Sequence, residues 1–195
     1  MCSATARLLV HRHCYAPLLA QIKAKMQDYQ TGPLISAGQL ARVQALLAQG
    51  QTETPDLVLH QVVQHTTGFG HPLTLVEGVS QDNVLWQEEI FGPVLCVMPF
   101  DSDEEAIAMA NDTHYGLVAT LVSEDLVTAR AMADRLEAGT VWINTPQLIF
   151  PQAAWGGYKQ SSLGRELGPW GLDAFSELKH VLVSPATSGP LGAVA

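Results

Sequence analysis

Apolar positions in this chain fall into two repeating patterns, short β-type runs and stripes at helical spacing. Leu8-Leu9-Val10 give residues 5–11 the look of a strand. Pro17 then stands where a helix can begin, and Leu18, Leu19, Ile22 and Met26 follow along one helical face. Gly32-Pro33 breaks the chain. A second helix is predicted from Ser36, a good N-cap, to Gln49, with Leu40, Val43, Leu46 and Leu47 inward and Gly50 as its stop. Leu57-Val58-Leu59 and Leu73-Thr74-Leu75-Val76 read as strands, joined by a polar connection from His60 to Pro72.

The second half is more regular. Residues 94–99 read as a buried strand. Ser102 and Glu105 have capping-box spacing and open a helix through Ala110. A strand follows at 115–121. Leu126, Ala129, Ala133 and Leu136 then mark a helix stopped by Gly139. Thr140-Val141-Trp142-Ile143-Asn144 carries the β-branched and aromatic residues of a strand, with Asn144 as a turn-former. Lys179–Val183 reads as a last strand, and the Pro-, Gly- and Ala-rich residues 184–195 read as a flexible tail. Strands alternating with helices predict an α/β fold whose sheet is mainly parallel.

Composition narrows the function. Hydrophobic residues make up 47% and charged residues 15%, which places the chain among globular proteins. A net charge of −9 with only ten scattered Lys and Arg argues against nucleic acid, whose phosphates demand clustered cations. No apolar run approaches the about 18 residues a membrane span needs. Cys2, Cys14 and Cys96 cannot all pair within one chain, so a reducing, cytoplasmic setting is expected. Residues 1–27 contain no acid and carry Arg7, Arg12, Lys23 and Lys25, a faint likeness to a transit peptide. His11 and His13 could share a strand face, but no third ligand lies near them in sequence, so no metal site is expected.

Gln87-Glu88-Glu89-Ile90-Phe91-Gly92-Pro93 is the segment that points to chemistry. It sets two carboxylates and a ring at the lip of the strand at 94–99. A carboxylate can accept from a ribose diol while a ring packs on a flat heterocycle. By spacing alone, an acidic turn before a strand explains the same residues.

Three segments carry a family resemblance. Glu88-Glu89-Ile90-Phe91-Gly92-Pro93 resembles a signature of the NAD(P)-dependent aldehyde dehydrogenases. Trp155-Gly156-Gly157-Tyr158-Lys159-Gln160-Ser161-Ser162-Leu163-Gly164-Arg165-Glu166 resembles that family's late W-G-G-x-K-x-S-G-x-G-R-E motif. Met1-Cys2-Ser3-Ala4-Thr5 through His11 resembles the stretch that begins at its nucleophilic cysteine. The order and spacing match over about residues 1–183, with the betaine-aldehyde and aminoaldehyde group most similar. Thr67-Gly68-Phe69-Gly70-His71-Pro72-Leu73-Thr74 is a drifted version of a loop that the family builds differently. Thr145-Pro146-Gln147 also departs from its commoner sequences.

The resemblance implies roles. Cys2 corresponds to the nucleophile, whose thiolate adds to an aldehyde to give a thiohemiacetal, with hydride passing to a nicotinamide. Glu89 corresponds to the ribose-binding glutamate and Phe91 to the aromatic beside the nicotinamide of NAD or NADP. Trp155 corresponds to an aromatic that boxes the cationic end of an aminoaldehyde, and plain core packing is its other reading. Arg165 and Glu166 are expected to pair and fix their loop. The family's nucleotide-binding portion, its E-L-G-G-K carboxylate and its oxyanion asparagine have no counterpart in the sequence. The expectation is therefore a catalytic domain over residues 1–183 without the nucleotide-binding domain, nearly inert alone. It would act in a homo-oligomer or with a complementary N-terminal half. A non-catalytic structural or regulatory subunit is the alternative.

Overall fold

A computed structural model describes residues 1–63, 68–145 and 147–183. The expected tail at 184–195 lies outside the described residues, as do residues 64–67 of the His60–Pro72 connection and position 146. The first sheet has the order β1-β4-β3-β2, from β1 (Arg7–His11), β4 (Val94–Phe100), β3 (Leu73–Glu77) and β2 (Val58–Val62). β1, β4 and β3 run parallel, and β2 pairs with β3 antiparallel.

Alternation along the strands splits the core in two. Leu75 of β3 and Val97 of β4 join Val10 and pack under α1 (Arg12–Met26) through Leu19 and Met26. The next residue on each strand side, Val76 and Cys96, faces the opposite way. There it meets α2 (Ala37–Glu53) through Val43, Leu46 and Leu47, and α3 (Val84–Gln87) through Leu85 and Trp86. A helix–sheet–helix layering follows. Each fully buried Leu or Val is worth about 1.5–3 kcal/mol in transfer terms.

α4 (Asp103–Asn111) leads to β5 (Tyr115–Gly116) and β6 (Val118–Leu121). α5 (Leu126–Ala133) then returns the chain to β7 (Thr140–Ile143), which pairs with β6 in parallel. β8 (Tyr158–Lys159) pairs antiparallel with β5, and α6 (Gly168–Asp173) follows. The mainly parallel α/β reading therefore holds.

Several local readings are corrected. α1 starts at Arg12, directly after β1, rather than at Pro17. The His11 Nδ1 accepts from the His13 N–H at 3.3 Å and caps the helix, so Pro17 lies inside it. α2 does not stop at Gly50 but runs to Glu53. A Cβ at Gly50 would stand 2.5 Å from Leu85, so this glycine serves the close approach of α2 and α3. The strand expected at 115–121 is two strands with different partners, broken at Leu117. Lys179–Val183 forms no strand. It has no neighbouring strand to pair with among the described residues, and Val181, Leu182 and Val183 are exposed.

The caps at Ser36 and Ser102 are as read. Ser36 Oγ accepts from the Gln39 N–H at 3.1 Å, and Ser102 Oγ accepts from the Glu105 N–H at 3.3 Å. The Glu105 carboxylate reaches back one residue further than a capping box requires, to the Asp101 N–H at 2.7 Å.

Candidate active site

β1 and β4 are parallel neighbours, with Arg7 opposite Cys96 and the Cys96 N–H donating to the Ala6 carbonyl at 2.9 Å. Cys2 precedes Arg7 by the same number of residues as Phe91 precedes Cys96. The turn carrying Cys2 and the loop carrying Glu89 and Phe91 thus leave the sheet at the same end. Cys2 sits in a turn closed by the Ala4 N–H on the Met1 carbonyl at 3.1 Å, and its thiol is exposed.

The other cysteines are placed differently. Cys14 lies in α1, beyond the opposite end of β1. Cys96 is buried, and burial pushes its thiol up to about 12, so it stays protonated at neutral pH. Of the three, only Cys2 shares an end of the sheet with the acidic–aromatic loop.

That loop is held from inside. Ile90 is buried in the α2-side core, and Gly92 presses on α2, where a Cβ would meet Val43 at 2.7 Å. Phe91, between them, takes the left-handed φ of 56° and turns its ring outward, 47% exposed. Glu89 is exposed, and no described residue hydrogen-bonds its carboxylate. An outward ring beside an unengaged carboxylate suits a flat heterocycle carrying a vicinal diol. Glu88 turns toward Arg42, 3.8 Å away.

Arg7 ties the two strands' leading segments together. Its guanidinium donates to the Trp86 carbonyl at 3.1 Å and lies 6.0 Å from the centre of the Trp86 ring. Burial lowers its pKa, with the Cys96 and Tyr115 groups acting the other way. The sequence reading counted Arg7 only among scattered N-terminal cations. Its helix partner, α3, was also missed, because four residues are too few to show a period.

Trp155 is half-buried and belongs to the loop after β7. Its backbone exchanges hydrogen bonds with Glu166, at 2.7 and 2.6 Å, and its ring centre lies 6.2 Å from that of Trp142. The same loop reaches the Cys2 segment through Gln147, whose Nε2 donates to Thr5 Oγ1 at 3.3 Å. Between them Leu148, Ile149 and Phe150 expose apolar side chains. Asn144 turns the chain at φ 51°, its side chain bonded to both backbone groups of Ser123. The expected Arg165–Glu166 pair is absent. Arg165 instead donates to the carbonyls of Gly157 and Gly164, both at 2.8 Å, because tight glycine turns leave those acceptors free. Among the described residues no group of three His, Cys, Asp or Glu side chains could hold a metal.

The sequence model of the aldehyde dehydrogenase family matches residues 1–181. The chain belongs to the aldehyde dehydrogenase family. It is 39% identical over 193 residues to the peroxisomal aminoaldehyde dehydrogenase 2 of Malus domestica, covering 93% of this chain and 38% of that protein. It is 37% identical over 204 residues to the chloroplastic betaine aldehyde dehydrogenase of Amaranthus hypochondriacus, covering 98% and 41%. Among solved structures, an NAD+ complex of an aldehyde dehydrogenase from Bacillus cereus superposes with a TM-score of 0.87 at 37% identity, over 92% of this chain and 38% of that one. An NAD+ complex of a betaine aldehyde dehydrogenase variant from Staphylococcus aureus gives 0.90 at 30% identity, over 99% and 42%. The chain thus spans about two fifths of the length of these aldehyde dehydrogenases. Among the described residues no helix is long and apolar enough to cross a membrane.

Proposed function

We propose that this chain supplies the nucleophile and the nicotinamide-side edge of an NAD(P)-dependent aldehyde dehydrogenase acting on betaine aldehyde or aminoaldehydes. The observation that carries this reading is the shared sheet end. The turn of Cys2 and the loop of Glu89 and Phe91 leave adjacent parallel strands on the same side. In this reading the Cys2 thiolate adds to the aldehyde carbon and holds it as a thiohemiacetal. Glu89 would accept hydrogen bonds from the ribose hydroxyls, and the Phe91 ring would pack on the nicotinamide. NAD(P)+, when bound, supplies the hydride acceptor, and the carboxylate product follows from water. The NAD+ present in the similar solved structures favours NAD over NADP. Trp155 would face the cationic end of the aldehyde, an interaction worth roughly 0.5–2 kcal/mol depending on desolvation.

The residues present fit only one end of a dinucleotide. The chain has no glycine-rich phosphate loop to cradle the pyrophosphate, and no base or oxyanion donor is identified beside Cys2. A missing oxyanion donor alone costs about 10²–10³ in rate. In this reading residues 1–183 are a catalytic domain that acts in a homo-oligomer or with a complementary N-terminal half carrying the nucleotide-binding portion. Trp170, Phe175, Leu178 and Leu182 are exposed, which supports association. The three free thiols suit a reducing compartment such as the cytoplasm. The same exposed apolar side chains also favour a second reading, a non-catalytic subunit that binds a full-length relative.

The test is NADH formation with betaine aldehyde and aminoaldehydes. The chain is assayed alone and then co-expressed with the N-terminal portion of the Malus domestica relative that it does not cover. No turnover alone and Cys2-dependent turnover in the complex supports the proposal. A stoichiometric complex that stays inactive with every aldehyde supports the subunit reading instead.

A further inference from the structure

The backbone of Glu89, Ile90 and Phe91 offers three successive carbonyls to α2, and two side chains on that helix engage all of them. Arg42 Nη2 donates to the Glu89 carbonyl at 3.0 Å. Gln39 Nε2 donates to the Phe91 carbonyl at 2.7 Å and to the Ile90 carbonyl at 3.4 Å. Gln39 and Arg42 are three residues apart, so both emerge on one helical face. Ile90 shares a buried cluster with the neighbouring Val43 of the same helix, and Gly92 abuts that valine. The segment is therefore gripped by carbonyl bonds and by packing at once.

The grip falls where the backbone needs it. Phe91 is a non-glycine residue at φ 56°, a conformation that an L side chain resists. Its exposed ring gains little from packing in return. Such a conformation persists only where the surroundings over-determine it. We infer that Gln39 and Arg42 are positioning residues, which hold Phe91 left-handed so that its ring and the Glu89 carboxylate present one edge to the nicotinamide riboside. The assignment of that edge rests on the proposed function; the clamp itself does not. No motif marks this clamp, since its acceptors are backbone carbonyls.

The experiment uses the full chain, uniformly labelled, and reads the ¹³C shifts of Phe91, which report its backbone conformation. It is done in solution or, for self-associated material, on sediment under magic-angle spinning. Gln39→Glu keeps the shape but turns the donor into a carboxylate facing two carbonyls. At neutral pH the left-handed signature of Phe91 should be lost in this variant while the shifts of buried Ile90 and Trp86 stay. On acidification the introduced carboxyl regains a proton and can donate, so the signature should return. Gln39→Leu should lose it at every pH. Arg42→Ala should weaken it, and Arg42→Lys should restore it, since an ammonium still reaches one carbonyl. A role in stability alone predicts none of this pH reversal. Unchanged Phe91 shifts in Gln39→Glu and Arg42→Ala at neutral pH overturn the clamp. Addition of NAD+ to the wild-type chain in complex with the N-terminal portion of the Malus domestica relative separates the two layers. Perturbation of Glu89 and Phe91 supports the edge assignment, whereas an intact clamp that NAD+ leaves untouched overturns that assignment and the nicotinamide reading with it.

Discussion

Phe91 and Gly92 show how much one residue of this loop depends on its neighbour. Phe91 occupies a left-handed conformation that costs roughly 1–2 kcal/mol for a residue with a Cβ. Phe91→Asn, which tolerates that region better, should raise stability by up to about 1 kcal/mol in a urea titration and remove the ring that the nucleotide edge requires. Gly92→Ala puts a methyl 2.7 Å from the buried Val43 and should cost about 1–3 kcal/mol through overpacking in the same titration. The motif residues here were legible in the sequence, because Glu89, Ile90, Phe91 and Gly92 form a recognisable string. Their supports were not. Gln39 and Arg42 act on carbonyls, and Arg7 acts on a carbonyl and a ring, so none has a complementary residue type to betray it.

Elements were read well where a period or cap is local, and poorly where a tertiary contact decides. Ser36 and Ser102 cap their helices as their spacing implies. Gly50 looked like a helix stop but lies within α2, at its crossing with α3. Gly50→Ala would stabilise an isolated helix by about 0.5–1 kcal/mol. Here its Cβ would stand 2.5 Å from Leu85 and 3.0 Å from Asn83 Oδ1, so the substitution should lower the melting temperature. Asn83 belongs to the same junction. It is buried, accepts from the Leu85 N–H at 2.9 Å and donates to the Gly50 carbonyl at 2.9 Å and to Thr54 Oγ1 at 3.1 Å. Asn83→Ala removes the cap of α3 and two buried hydrogen bonds to α2, leaving the Gly50 carbonyl only the Thr54 N–H, so a loss of about 1–3 kcal/mol is expected by denaturant titration. The failed strand at Lys179–Val183 has the same root. Its short apolar run suits a strand, but pairing needs a second strand that local sequence does not reveal.

At the scale of the whole molecule, charge is arranged at the surface and chemistry at one end of the sheet. The Arg12 guanidinium, hydrogen-bonded to Asp101, holds that carboxyl below its ordinary value, and Arg135 does the same for Glu104. For Asp125 the Thr128 hydroxyl is the main cause. Carboxyls with depressed folded values contribute stability that is present above their unfolded values, about 4, and lost as pH falls through the lower folded ones. Stability should therefore decline on the acid side of pH 4, and the Asp101→Asn and Glu104→Gln variants should show a shallower decline. Both pairs are exposed, so added salt should flatten the wild-type curve as well. The central claim concerns Cys2, and its most direct test is the site of acylation. The chain, in complex with the N-terminal portion of the Malus domestica relative, is given betaine aldehyde and NAD+, quenched in acid during turnover, digested and weighed by mass spectrometry. The account predicts an acyl adduct on the peptide carrying Cys2, none on Cys14 or Cys96, and neither adduct nor turnover in Cys2→Ser. An adduct on Cys14, or turnover that survives Cys2→Ser, would contradict it.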